Sequence, residues 1–80
     1  MPNYRIKILS VSIKTDIRLF DVQATHTSDA VRKGASVIFG LDESDFEFVK
    51  TSGFFSLYPR FEVAHKRMKL LSGEIEVIKT

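Results

Sequence analysis

The chain has 80 residues, no cysteine and a formal net charge of +2. This length is typical of one domain, so we expect a single folded unit over residues 1–80. Apolar residues make up 44% of the chain and charged residues 28%, which is the composition of a folded domain rather than a disordered segment. The small net charge does not by itself indicate a nucleic-acid partner.

The sequence predicts neither a targeting signal nor a membrane span. The chain begins Met1-Pro2-Asn3 and continues into alternating residues, not into the apolar region of a signal peptide. Its longest uncharged apolar stretch is far shorter than the ~18 residues that a membrane-spanning helix requires. Small secreted domains usually carry disulfides, so the lack of cysteine favours a reducing compartment. We therefore expect a cytoplasmic protein.

The first part of the chain predicts a β-hairpin. Apolar and polar residues alternate over residues 4–13 and again over 16–24, as the two faces of a strand require. The alternation changes phase between Ile8 and Leu9 and again between Leu19 and Phe20, which predicts a bulge or a strong bend in each strand. The gap at residues 14–16 has the length of a turn.

A helix is predicted over about residues 28–39. Six small or apolar residues recur at intervals of three and four, as one helix face requires: Ala30, Val31, Gly34, Ala35, Ile38 and Leu41. Thr27 or Ser28 would be the N-cap, and Gly40 suits the left-handed position after the last turn. Gly34 on the apolar face predicts a close approach to the sheet. We expect Val31, Ala35 and Ile38 to pack against sheet residues such as Ile6, Phe48 and Val77.

The remainder predicts further strands. The acidic residues 42–45 form a turn, residues 46–51 alternate as a strand, and 51–53 turn again. Residues 54–66 are rich in strand-forming side chains, with Pro59 restricting them to an edge or a break. Residues 64–71 fit a strand or a helical turn equally well. Ser72-Gly73 then lead into a last strand around Ile75 and Val77.

These elements predict an α+β fold with the order ββαβββ, in which one helix packs on a mostly antiparallel sheet. This order and length resemble the β-grasp architecture of ubiquitin-like domains; the resemblance lies in the order of elements alone. A two-layer sandwich with a different strand order is the alternative.

Motifs for catalysis or cofactor binding are not found in the sequence. The chain ends Ile78-Lys79-Thr80, without the terminal Gly-Gly that ubiquitin-like modifiers need, and it has no Walker or nucleophile-elbow motif. His26 and His65 are not in metal-ligand spacing, and His26 is expected to be a solvated residue at the helix start. Asp42, Glu43 and Asp45 lack the spacing of a calcium loop. We therefore expect a non-enzymatic protein with no cofactor and no metal.

Residues 54–69 predict the interaction surface. Phe54, Phe55, Tyr58 and Arg60 combine aromatic and cationic side chains, which are enriched at protein interfaces. Successive residues of a strand face opposite ways, so one of the two phenylalanines should be exposed. Another protein is the expected partner, and an edge strand could also pair with a second copy.

Nucleic acid is the alternative partner. Lys66, Arg67 and Lys69 follow the aromatic residues, and single-strand binding combines such cations with stacking rings. Neither a strand nor a helix over this segment would gather all the cations on one face.

Overall fold

The computed structural model describes residues 1–40, 42–59 and 72–80. These residues form an α+β fold with the predicted element order. The strands are β1 (Asn3–Val11), β2 (Leu19–Gln23), β3 (Phe46–Thr51), β4 (Phe54–Pro59) and β5 (Gly73–Lys79), and the helix is α1 (Thr27–Phe39). The acidic turn contains a short 3-10 helix at Glu43–Asp45.

The five strands form one sheet in the order β2-β1-β5-β4-β3, and each neighbouring pair is antiparallel. The edge strands β2 and β3 therefore run in the same direction. The helix α1 connects these two edges across one face of the sheet, which we call the inner face. The prediction of one helix on a mostly antiparallel sheet is confirmed, and the likeness to the β-grasp architecture remains one of element order.

The core lies between α1 and the inner face. Its buried residues come from the helix and from all strands except β2: Ile6, Ile8, Val31, Ala35, Ile38, Phe46, Leu57 and Ile75. Phe48 and Val77 pack against it, as the periodicity predicted. An ideal Cβ on Gly34 would lie 3.4 Å from Cδ1 of Ile6, so the absence of a side chain lets α1 approach β1 closely.

The predicted bulge lies in β1. Tyr4 to Ile8 pair in register with β5, the register then shifts between Ile8 and Ser10, and Val11 pairs with Gly73. The extra residue is Leu9, so Val11 returns to the inner face and packs against the core.

The prediction of a bulge in the second strand is wrong. Leu19 to Gln23 pair with β1 without interruption. Ile17 lies before the strand, in the loop of residues 12–18. The change in the apolar–polar alternation after Leu19 therefore does not mark a bulge, because Ile17 is not part of the strand's alternation. That loop is longer than the predicted turn, and β1 ends at Val11 rather than at residue 13.

The helix begins one residue earlier than predicted. Its N-cap is His26, in an extended conformation and without a side-chain capping bond, so the prediction of Thr27 or Ser28 as the cap is wrong. The N–H of Ala30 donates to the carbonyl of His26 at 3.0 Å, which already places Thr27 inside the first turn. Gly40 ends the helix in the left-handed conformation, as predicted, with φ of 70°.

Two cations of α1 reach the two edges of the sheet. The Arg32 guanidinium donates a 2.7 Å hydrogen bond to the Phe46 carbonyl of β3, and it lies 5.3 Å from the ring centroid of Phe48. The Lys33 ammonium donates to the Gln23 carbonyl at the end of β2, at 2.8 Å. These bonds satisfy edge-strand carbonyls and hold the helix across the whole sheet.

Candidate interaction surface

The outer face of the sheet, opposite α1, carries exposed apolar side chains among charged ones. Side chains alternate along each strand, so every residue next to a core position points to this face. Its exposed apolar side chains include Leu19, Val49, Tyr58 and Ile78. Within the part of the chain that the structure describes, no element packs over them.

The outer face of β1 and its two neighbours is neutralised by cross-strand charge pairs. Arg5 donates from Nε to Oδ1 of Asp21 on β2 at 3.1 Å. This hydrogen bond, together with the charge of the carboxylate, raises the pKa of Arg5 above its usual value. Lys7 lies opposite Glu76 of β5 in the register. Opposite charges at facing positions favour this strand pairing and leave little net charge for a partner to bind.

The β3–β4 hairpin carries an apolar patch on the same face. Val49 pairs with Ser56, and Phe54 and Tyr58 lie two residues to either side of Ser56 on β4. Val49 is 51% exposed and Tyr58 42%, while Phe54 is half-buried. Side chains at such diagonal positions lie within reach of one another across a strand pair. We call Val49, Phe54 and Tyr58 the hairpin patch.

The two adjacent phenylalanines face opposite ways. Phe55 pairs with Ile75 and packs against the core on the inner face, where its ring meets that of Phe48 edge to face at 5.7 Å between centroids. Phe54 lies on the outer face with Tyr58. Of the predicted interaction residues, the structure thus places Phe54 and Tyr58 on the outer face and packs Phe55 against the core. Phe54 is half-buried, so the expectation of a fully exposed phenylalanine is not met.

Val49 is the residue of the hairpin patch that the sequence analysis missed. Its alternation with Phe46 and Phe48 was the available signal, since those residues are inward and Val49 must then face outward. Its place beside the β4 aromatics depends on the register of the hairpin. That register follows from a two-residue turn, Ser52-Gly53, in which Gly53 has φ of 84°.

Carboxylates flank the hairpin patch. Glu47 lies opposite Tyr58 on β3, and Glu74 lies opposite Ser56 on β5. The predicted basic residues Arg60, Lys66, Arg67 and Lys69 lie outside the described residues, as do Leu41, His65 and the alternative structures for residues 64–71. The described part of this surface therefore carries apolar side chains with carboxylate residues at neighbouring register positions.

The other residues singled out in the sequence do not gather into a site. His26 is exposed at the start of α1, and Asp42, Glu43 and Asp45 lie in and beside the short 3-10 helix. Among residues 1–40, 42–59 and 72–80, no three acidic or histidine side chains are grouped so that they could hold a metal ion. No helix in these ranges is long and apolar enough to cross a membrane.

Comparison with family models, curated proteins and solved structures gave no significant match.

Proposed function

We propose that this chain is a non-enzymatic protein-binding module that engages its partner through the hairpin patch. The observation that carries the proposal is the exposure of Val49 and Tyr58, which share the outer face of the β3–β4 hairpin with the half-buried Phe54. Interface centres are enriched in aromatic residues and depleted of charge. Arg60 lies outside the described residues and is proposed to take part in binding the same partner.

The charges around the patch favour a protein over a nucleic acid. Glu74 lies opposite Ser56, beside the aromatic residues, and a carboxylate repels the phosphates that supply most of the affinity for nucleic acid. A protein surface with apolar side chains and a basic rim complements this arrangement. RNA or single-stranded DNA bound through Lys66, Arg67 and Lys69 is the alternative, and the test below distinguishes the two.

The test is affinity capture from a lysate of the source cells, with and without nuclease, compared among matched variants. Tyr58→Ser removes an exposed ring of the patch, and Leu19→Ser removes an apolar side chain of similar exposure on the far edge of the same face (55% exposed). We expect Tyr58→Ser to abolish capture of a specific protein and Leu19→Ser to preserve it. Truncating a central aromatic residue commonly costs about 2 kcal/mol or more of binding energy, roughly 30-fold in affinity.

Two controls make the outcome decisive. Phe54→Ser should also weaken capture without unfolding the protein, whereas Phe55→Ser should lower the melting temperature markedly because that ring belongs to the core. Equal capture by the parent and by a variant that lacks both Phe54 and Tyr58 rings would overturn the proposal. Loss of the captured protein on nuclease treatment would favour the nucleic-acid alternative.

A further inference from the structure

A cavity of about 420 Å³ opens between the bulged end of β1 and the loop of residues 12–18. This volume falls within the range of roughly 300–1,000 Å³ that small-molecule sites occupy. The cavity lies at the β1–β2 side of the sheet, whereas the hairpin patch lies at the β4–β3 side. It is therefore separate from the proposed protein-binding surface, and the inference drawn from it does not depend on that proposal.

The cavity exists because two strand ladders end at different points along β1. The ladder with β2 ends at the pair of Lys7 and Leu19, whereas the ladder with β5 continues to Val11. The residues of β1 beyond Ile8 therefore have no β2 residue opposite them in the described structure. The Leu9 bulge lies within this unpaired length, and bulges commonly redirect side chains beside binding sites.

Hydrogen bonds fix both ends of the loop of residues 12–18. The N–H of Ile8 donates to the Arg18 carbonyl at 2.9 Å. At the other end the N–H of Ser12 donates to the Ser72 carbonyl at 2.9 Å, and the N–H of Ser72 donates to Oγ of Ser12, also at 2.9 Å. Between these hydrogen bonds, residues of β1 and of the loop line the cavity.

The lining combines cations, hydroxyls and an apolar wall. Lys14 and Arg18 line the cavity and are exposed, and within the described residues neither forms an ion pair. Ser10 and Thr15 add hydroxyl groups. Oγ1 of Thr15 accepts a 3.2 Å hydrogen bond from the N–H of Ile17, which leaves the hydroxyl proton available to donate.

The apolar part of the lining comes from three aliphatic residues, Leu9, Val11 and Ile13. Val11 and Ile13 also pack against the core and so form a fixed wall. Asp16, the acidic residue of the same loop, does not line the cavity. The lining is mostly polar, so a bound anion would meet two positive charges and at least one donating hydroxyl, with a small apolar surface beside them.

We propose that this cavity binds a small phosphomonoester. A phosphomonoester carries close to two negative charges above its second pKa of about 6, which matches the two cations. Guanidinium and ammonium groups form charge-assisted hydrogen bonds with phosphate oxygens, and the aliphatic wall contacts the organic group. A carboxylate offers half of this charge and binds more weakly.

The test is a titration of the isotope-labelled full chain with phenyl phosphate at pH 7.5, followed by amide chemical shifts. We expect saturable shifts confined to residues 8–18 and 72–74, with inorganic phosphate and benzoate each binding at least about fivefold more weakly. Lys14→Gln and Arg18→Gln should each weaken binding about tenfold, because a hydrogen bond to a charged group is lost. Lys50→Gln, an exposed cation on β3, should leave affinity unchanged.

Three results would overturn the proposal. Shifts that do not saturate, or that spread over cations across the surface, would mean nonspecific anion association. Unchanged affinity for phenyl phosphate in both Lys14→Gln and Arg18→Gln would exclude the cavity as the binding site. Two variants are used because one substitution could also alter the conformation of the loop. Benzoate binding as tightly as phenyl phosphate would refute a site that is matched to a dianion.

Discussion

The close contact between α1 and β1 predicts opposite outcomes for two substitutions of Gly34. A Cβ at this position would lie 3.4 Å from Cδ1 and from Cγ1 of Ile6, an ordinary van der Waals contact. Alanine therefore fits without moving the helix. Because glycine in a helix interior is about 1 kcal/mol less favourable than alanine, Gly34→Ala should raise the free energy of unfolding by up to about 1 kcal/mol.

Gly34→Leu should instead destabilise the protein. The larger side chain adds three carbons beyond Cβ at a point where Ile6 is fully buried, so α1 or Ile6 must shift. Overpacking of this kind costs about 1–3 kcal/mol, a substantial part of the roughly 4–12 kcal/mol expected for a domain of this size.

Urea unfolding followed by circular dichroism measures the unfolding free energy of both variants. An unchanged slope of this free energy against urea concentration shows that the unfolding reaction is the same. Each kcal/mol corresponds to a change of about 4–8 °C in melting temperature. A Gly34→Leu variant as stable as the parent would refute the close helix–sheet contact. A Gly34→Ala variant destabilised by more than about 1 kcal/mol would instead show that the space beside Ile6 does not admit a Cβ.

Two further predictions concern the attachment of α1. Ile38→Ala should lower the unfolding free energy by about 2–5 kcal/mol because the side chain is buried in the core, and a loss below about 1 kcal/mol in urea unfolding would contradict that placement. Arg32→Met should cost about 1 kcal/mol through loss of the bond to the Phe46 carbonyl. Lys33→Met should lower the unfolding free energy less in the same assay, because its bond to the Gln23 carbonyl is exposed. Equal losses of unfolding free energy in the two variants would contradict this difference in burial.

Some of the outer face could be predicted before the fold was known. Phe54 and Phe55 are consecutive in a strand, so their rings had to face opposite ways whatever the topology. The assignment of Phe55 to the core required its pairing with Ile75, a contact between residues far apart in sequence. The cavity was not predictable, because it depends on the different lengths of two ladders along β1.

Local patterns determined the elements of this protein. Side-chain alternation predicted the strands and the bulge in β1, and the recurrence of small and apolar residues at three- and four-residue intervals predicted the buried face of α1, because these periods follow from backbone geometry alone. Gly40 marked the helix end for the same reason, since a left-handed residue favours glycine.

Tertiary structure alone decided how the strands are ordered and what their outer faces present. The antiparallel pairing of β1 with β5 and of β5 with β4 joins segments that are distant in sequence, and several orders would satisfy the same alternation. The loop cavity depends on that choice, because it forms only where β1 pairs with both β2 and β5. The hairpin patch depends on the local register of the β3–β4 hairpin. Strand periodicity specifies which face a residue occupies, but only the register of strand pairing specifies which residues lie beside it.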